Sequence, residues 1–130
     1  MATKEDVERF LGALKRKIKV FGIIYRNDRV KNMSTIGALE ILPIERTRII
    51  NELCVEDYSQ GPMTDTLNKG SDMWVFGKNV KGKEIYIKVT MGPPNSNAVC
   101  ISFHIAEKQM SYPFKTEKQW EVHLQIARQF

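Results

Sequence analysis

Apolar and polar residues alternate from Lys83 to Met91, and again from Ala98 to Ala106, on either side of Gly92-Pro93-Pro94-Asn95-Ser96-Asn97. A period of two is that of a strand whose side chains point alternately to the two faces of a sheet. The pattern therefore predicts two β-strands around a short loop. Ile85, Ile87, Val89 and Met91 fall on one face of the first strand, and Tyr86, Lys88 and Thr90 on the other. In the second strand Val99, Ile101, Phe103 and Ile105 form an apolar row, with Ala98, Cys100, Ser102, His104 and Ala106 on the opposite face. Antiparallel pairing must bring the two apolar rows to one side, because a one-residue slip exposes one of them. With the turn centred on Asn95, Tyr86 then stands opposite His104 and Lys88 opposite Ser102, with Cβ atoms of opposed residues about 5 Å apart.

The preceding run Met73-Trp74-Val75-Phe76-Gly77-Lys78 is strand-like, and Lys81-Gly82 supplies a turn of two or three residues into the Lys83 strand. Three consecutive antiparallel strands make a meander, with Trp74 and Phe76 expected to face the core. At the start of the chain, Thr3 caps a helix whose stripe is Val7, Phe10, Leu11, Leu14 and Ile18. From Lys17 to Arg26 the period shifts to that of a strand bent at Gly22, and Arg26–Asn32 reads as a polar loop. Ser34 caps a short helix through Glu40. Pro43 opens another, with Ile44, Thr47, Ile50 and Leu53 inward and Arg46, Arg48 and Glu52 on its wet face. Val55–Pro62 and the stretch to Asp72 read as loops. Thr116 with Gln119 resembles a capping box opening a last helix with Trp120, Leu124 and Ala127 on one stripe and His123 at its edge as a surface or packing residue. The expected fold is α+β: a three-stranded antiparallel meander plus a further strand, packed against N-terminal and C-terminal helices, in one domain over residues 1–130.

Composition changes this picture little. The 130 residues are 27% charged and 42% hydrophobic, the balance of a folded domain and not of a disordered chain. Lys and Arg outnumber Asp and Glu by 20 to 15, so the net charge of +5 favours an anionic partner such as nucleic acid. Cys54 and Cys100 make no metal spacing and read as two buried, reduced thiols. No signal-peptide core and no membrane-length apolar run is present, so the expected location is cytoplasmic, with no membrane partner.

Familiar catalytic motifs are missing: no Gly-rich phosphate loop, no Cys/His metal spacing, no Gly-x-Ser-x-Gly elbow. No cofactor or metal is expected. What remains is Tyr86, Lys88, Ser102 and His104 on one sheet face, a set that suits RNA cleavage without metal. The ribose 2′-OH is the internal nucleophile. Such an enzyme needs a base for its proton, an acid for the leaving 5′ oxygen and positive charge on the phosphorane. Imidazole suits either proton transfer. Lys88 can neutralise the oxyanion, and Tyr86 can bond the phosphate, assist proton transfer or stack on a base.

The order Val55-Glu56-Asp57-Tyr58, Met73-Trp74, Glu84-Ile85-Tyr86-Ile87-Lys88-Val89 and Val99-Cys100-Ile101-Ser102-Phe103-His104 resembles the MqsR family of toxins. That family belongs to bacterial type II toxin–antitoxin systems and has the RelE-like endoribonuclease fold. The resemblance implies cleavage of mRNA, which can be ribosome-bound, and neutralisation by a cognate antitoxin protein. Its Tyr-x-Lys motif falls on Tyr86 and Lys88. His104 stands where the family has lysine after Ser-Phe, and Gln60 stands near another family lysine. The candidate catalytic residues are thus His104, Tyr86 and Lys88, and the candidate RNA contacts are Ser102, Gln60, Lys78, Arg26 and Arg29. Two other readings use the same sheet face: a non-catalytic RNA- or ribosome-binding module, and a protein-interaction domain.

Overall fold

A computed structural model of the chain describes residues 1–66 and 70–116. The helix expected after Thr116, with Trp120, His123, Leu124 and Ala127, lies outside them. Among the described residues the fold is α+β, with three α-helices and one five-stranded sheet. None of these helices is long and apolar enough to cross a membrane.

The first helix, α1 (Lys4–Phe21), starts as its sequence demands. Asp6 N donates to Thr3 Oγ1 at 3.1 Å and Thr3 N donates back to Asp6 Oδ2 at 3.0 Å, satisfying two otherwise unpaired donors. All five residues of the apolar stripe are buried. The helix runs past the point where a strand was expected, because Ile18 continues the stripe one turn beyond Leu14. Gly22 ends it at φ 80°, a conformation that favours glycine, and β1 is only Ile23–Tyr25.

The helix expected from Ser34 to Glu40 forms but starts earlier, taking in the last residues of the segment read as a polar loop: α2 spans Val30–Leu39, with Arg29 as an N-cap that makes no side-chain cap bond. The signal for its start was absent from the sequence for that reason. Next, α3 (Pro43–Asn51) begins at the expected proline. Ile50 and Leu53 are buried and Arg48 and Glu52 exposed as expected, but two positions are exchanged. Ile44 is 77% exposed, whereas Arg46 is only 7% exposed. The Arg46 guanidinium lies over the Tyr25 ring, 3.9 Å from its centroid, and donates to Asn27 Oδ1 at 2.9 Å. A stacked, bonded guanidinium tolerates burial that a bare charge does not.

A single 3₁₀ turn (Val55–Asp57) leads into β2 (Tyr58–Met63), where a loop was expected. Its pairing with the following strand is irregular, shifting register on both sides of Gln60, so no clean alternation marked it. The meander itself stands as read, from β3 (Met73–Val80) through β4 (Lys83–Thr90) to β5 (Ala98–Ile105). The first turn has two residues, since Val80 pairs with Lys83, and Lys81 and Gly82 both have positive φ. That parity places Trp74 opposite Val89 and Phe76 opposite Ile87, on the core side.

Strand order is β1-β5-β4-β3-β2, and β1 runs parallel to β5. The sheet is therefore mixed and five-stranded, correcting the purely antiparallel expectation. A second correction lies inside β5. Lys88 pairs with Ser102 but Val89 pairs with Cys100, so Ile101 is an extra residue, a β-bulge. Ala98 and Cys100 consequently join Phe103 in the core, not the opposite face. Cys54 lies at the surface and only Cys100 is buried. The main core fills the space between α1 and one face of the sheet; on the other face a smaller cluster of Val75, Met110 and Tyr112 packs against Tyr86 and Ala106, and the polar side chains of β4 and β5 beside it build a site.

Candidate functional site

On that other face, alternation along β4 and β5 sends out the four polar side chains singled out from the sequence. Tyr86 pairs with His104 and Lys88 with Ser102, the register expected from the two apolar rows. All four line one cavity of about 930 Å³, which also takes in Arg29, Lys31 and Asn32 from α2 and its N-cap, Ser59 and Gln60 from β2, and Glu107 to Ser111 beyond β5. The rings of Tyr86 and His104 stack with centroids 5.1 Å apart and planes 14° from parallel. Lys88 Nζ lies 5.9 Å from the Tyr86 ring centroid.

His104 Nδ1 is 3.0 Å from its neighbour's carbonyl, Ile105 O. A carbonyl only accepts, so Nδ1 carries the proton in this bond and Nε2 is the nitrogen left to exchange one. Burial pushes the Tyr86 phenol up from its ordinary 10.0, keeping the hydroxyl protonated and a donor at neutral pH. Lys88 is pushed down from 10.5, first by burial and then by the like charge of Arg29, while Asp65 pulls the other way. A half-buried ammonium beside a guanidinium is a place that an anionic group completes.

Cations surround the cavity: Arg29, Lys31 and Lys108 join Lys88 on its walls. Lys31 is already bonded to Glu107. Among the described residues no cluster of three or more His, Cys, Asp or Glu side chains is placed to hold a metal ion.

Two of the residues expected to meet RNA lie apart from this cavity. Lys78 pairs with Ile85 on the core side of the sheet, and its ammonium contacts the buried Asp57 carboxylate at 3.1 Å. Arg26 turns its guanidinium fork onto Asp28, with two bonds of 3.1 Å. Ser102, Gln60 and Arg29 do line the cavity. The residues that sequence reasoning missed are Asn32, Lys31 and the Glu107–Ser111 segment. The first two were assigned to a loop, and the last carries no periodic pattern to place it. Compared with known proteins, the chain matches no family model, no characterised protein and no solved structure.

Proposed function

We propose that the chain is the toxin component of a bacterial type II toxin–antitoxin system, an MqsR-like, RelE-like endoribonuclease that cleaves mRNA without a metal ion. The observation that carries this reading is the meeting of Tyr86, Lys88, Ser102 and His104 in one cation-walled cavity. Each step of 2′-OH cleavage finds a group there. His104 Nε2 takes the 2′ proton as the O2′–P bond forms. Lys88 and Arg29 offset the charge that builds on the phosphorane. As the P–O5′ bond breaks, the leaving oxygen takes a proton from the Tyr86 hydroxyl or from the imidazolium just formed. The products are a 2′,3′-cyclic phosphate and a free 5′-OH. Ser102 and Gln60 supply neutral hydrogen bonds along the strand. The partners on this reading are mRNA, free or ribosome-bound, and a cognate antitoxin protein.

The decisive experiment expresses the wild-type chain and His104→Ala and scores growth arrest and new RNA ends. The expected result is arrest and cleavage by the wild type only. Arrest by both forms removes His104 from the mechanism, and RNA that is bound but left whole by the wild type replaces catalysis with binding.

A further inference from the structure

We infer that Asn32 and Thr35 of α2 are positioning residues for His104: two helix side chains that stand where a neighbouring strand would be and hold the register on which the Tyr86–His104 pair depends. The catalytic half of this inference rests on the endoribonuclease reading; the geometric half does not.

Strand β1 pairs with β5 only along Ala98–Cys100, and Arg26 N donating to Cys100 O at 3.1 Å is the end of that ladder. Past Cys100 the outer edge of β5 is met by α2. Asn32 Nδ2 donates to Ile101 O at 3.1 Å, and Asn32 Oδ1 accepts from Phe103 N at 3.0 Å. Three residues along the same helix face, Thr35 Oγ1 accepts from Ile105 N at 2.9 Å. Residues 101, 103 and 105 are those whose backbone groups a further strand would take, and the side chains bracket Ser102 and His104. Both side chains are buried, and Asn32 spends its second amide proton on Arg26 O at 3.0 Å, tying the end of β1 to the same point.

What these bonds hold is the bulge. Up to Cys100 the register pairs Val89 with Cys100; after Ile101 it pairs Lys88 with Ser102 and Tyr86 with His104. Were the Val89–Cys100 register continued without the extra residue, His104 would oppose Ile85 and enter the core, and Phe103 would oppose Tyr86 in the cavity. Asn32 grips the bulged residue itself and the residue two beyond it. The site thus exists on the cavity face because α2 fixes where the register changes.

The test uses the full chain with Asn32→Ala, Thr35→Val (same shape, no acceptor) and Thr35→Ser (acceptor kept), each studied well below its melting temperature. Two readouts are taken: the NMR cross-relaxation between the Tyr86 and His104 rings, and kcat and KM on single-stranded RNA. Asn32→Ala and Thr35→Val are expected to weaken the ring–ring contact and the Ile87–Phe103 contact, which share one register, while the Val89–Cys100 pairing before the bulge persists. They are also expected to lower kcat by about tenfold or more, with KM within about twofold, since small misplacements are costly to rate. Thr35→Ser restores both readouts. A lowered melting temperature with ring contact and kcat unmoved makes the two residues merely structural and overturns the inference. If the wild type never cuts RNA, the nuclease reading falls, and persistence of the ring contact in both variants overturns the positioning role separately. If Asn32→Ala does not fold, Thr35→Val decides.

Discussion

The imidazole of His104 lies flat against the phenol ring of Tyr86, 5.1 Å between centroids. Stacking of this kind contributes about 0.5–1.5 kcal/mol beyond area burial and leaves the imidazole little freedom to turn. With Nδ1 bonded to Ile105 O as well, the ring is held at its face and at one nitrogen. One face of Tyr86 is therefore taken by His104, which favours its hydroxyl over its ring as the working group.

Tyr86→Phe keeps the stack and removes only the hydroxyl. A hydrogen bond to a charged group is worth about 1.5–3 kcal/mol, so single-turnover cleavage of a labelled RNA should slow by roughly 10- to 150-fold with RNA affinity unchanged. Tyr86→Ala should slow it further, because His104 loses its support. Equal rates for wild type and Tyr86→Phe would take the phenol out of the chemistry.

Lys88 sets an alkaline signature. Its pKa in the fold lies below the ordinary 10.5, with burial the first cause and Arg29 the second. A lysine so shifted opposes folding wherever it is charged, and that opposition lifts as pH rises through the lowered folded value toward 10.5, so its contribution to stability grows across that window. NMR titration of the Lys88 ε-methylene should give a midpoint below 10.5. Arg29→Gln should move it up only part of the way, since burial remains. A midpoint unchanged by Arg29→Gln would mean that the two cations do not sense each other.

The parts of this fold that were legible in the sequence are those set by local period. The α1 stripe, the meander and the Tyr86–His104 register all follow from alternation and from one buried face. The bulge at Ile101 was not legible, because it answers to Asn32, a residue some seventy positions away in sequence. Nor was the parallel pairing of β1 with β5, which joins Tyr25 to Cys100 across most of the chain. Burial of Arg46 depends on the Tyr25 ring and Asn27 arriving beside it. The site's four central residues were visible for the same reason as the strands that carry them. Its second wall, the first turn of α2 and residues 107–111, was set by packing that no short window contains.

Gly77 is required by a close approach. A Cβ there would sit 2.0 Å from the Tyr112 hydroxyl oxygen and 2.7 Å from its ring, and Tyr112 donates to Glu84 Oε2 at 2.7 Å. Gly77→Ala should therefore destabilise by about 1–3 kcal/mol or more in urea unfolding. In a Tyr112→Ala background the same change should cost clearly less, giving a coupling of about 1 kcal/mol or more. Additive effects would show that the ring does not rest on Gly77.

Lys78 separates structure from RNA contact. Its ammonium meets Asp57, whose side chain is 8% exposed and also accepts from Cys54 N at 3.0 Å. Lys78→Met strips a buried carboxylate of its cation. Full burial of such a pair makes this loss about 3–5 kcal/mol, and the partly exposed lysine lowers it to about 1–3 kcal/mol here. Thermal or urea unfolding should register that loss while RNA affinity stays within about twofold. A large drop in affinity with stability intact would return Lys78 to the binding surface.

The cations on the cavity wall should differ in what they contribute to RNA binding, and salt dependence separates them. Neutralising a phosphate of single-stranded nucleic acid releases counterions, and each such contact adds about 0.7 to the slope of log K against log salt. Arg29 stands at the start of α2 close enough to lower the pKa of Lys88, so the two present a shared positive field to one phosphate group. Lys31, one helical turn away at most, already holds Glu107. A strand entering the cavity must displace that carboxylate before it gains Lys31, so the net charge gained there is small. Arg29→Gln should accordingly lower the slope by about 0.7 and weaken binding at every salt concentration. Lys31→Gln should leave the slope nearly unchanged, and Glu107→Gln should raise affinity by freeing Lys31 and removing a negative charge from the wall. Titrations of a fluorescent single-stranded RNA at several salt concentrations measure all three. Equal slopes for Arg29→Gln and wild type would place the phosphates outside this cavity.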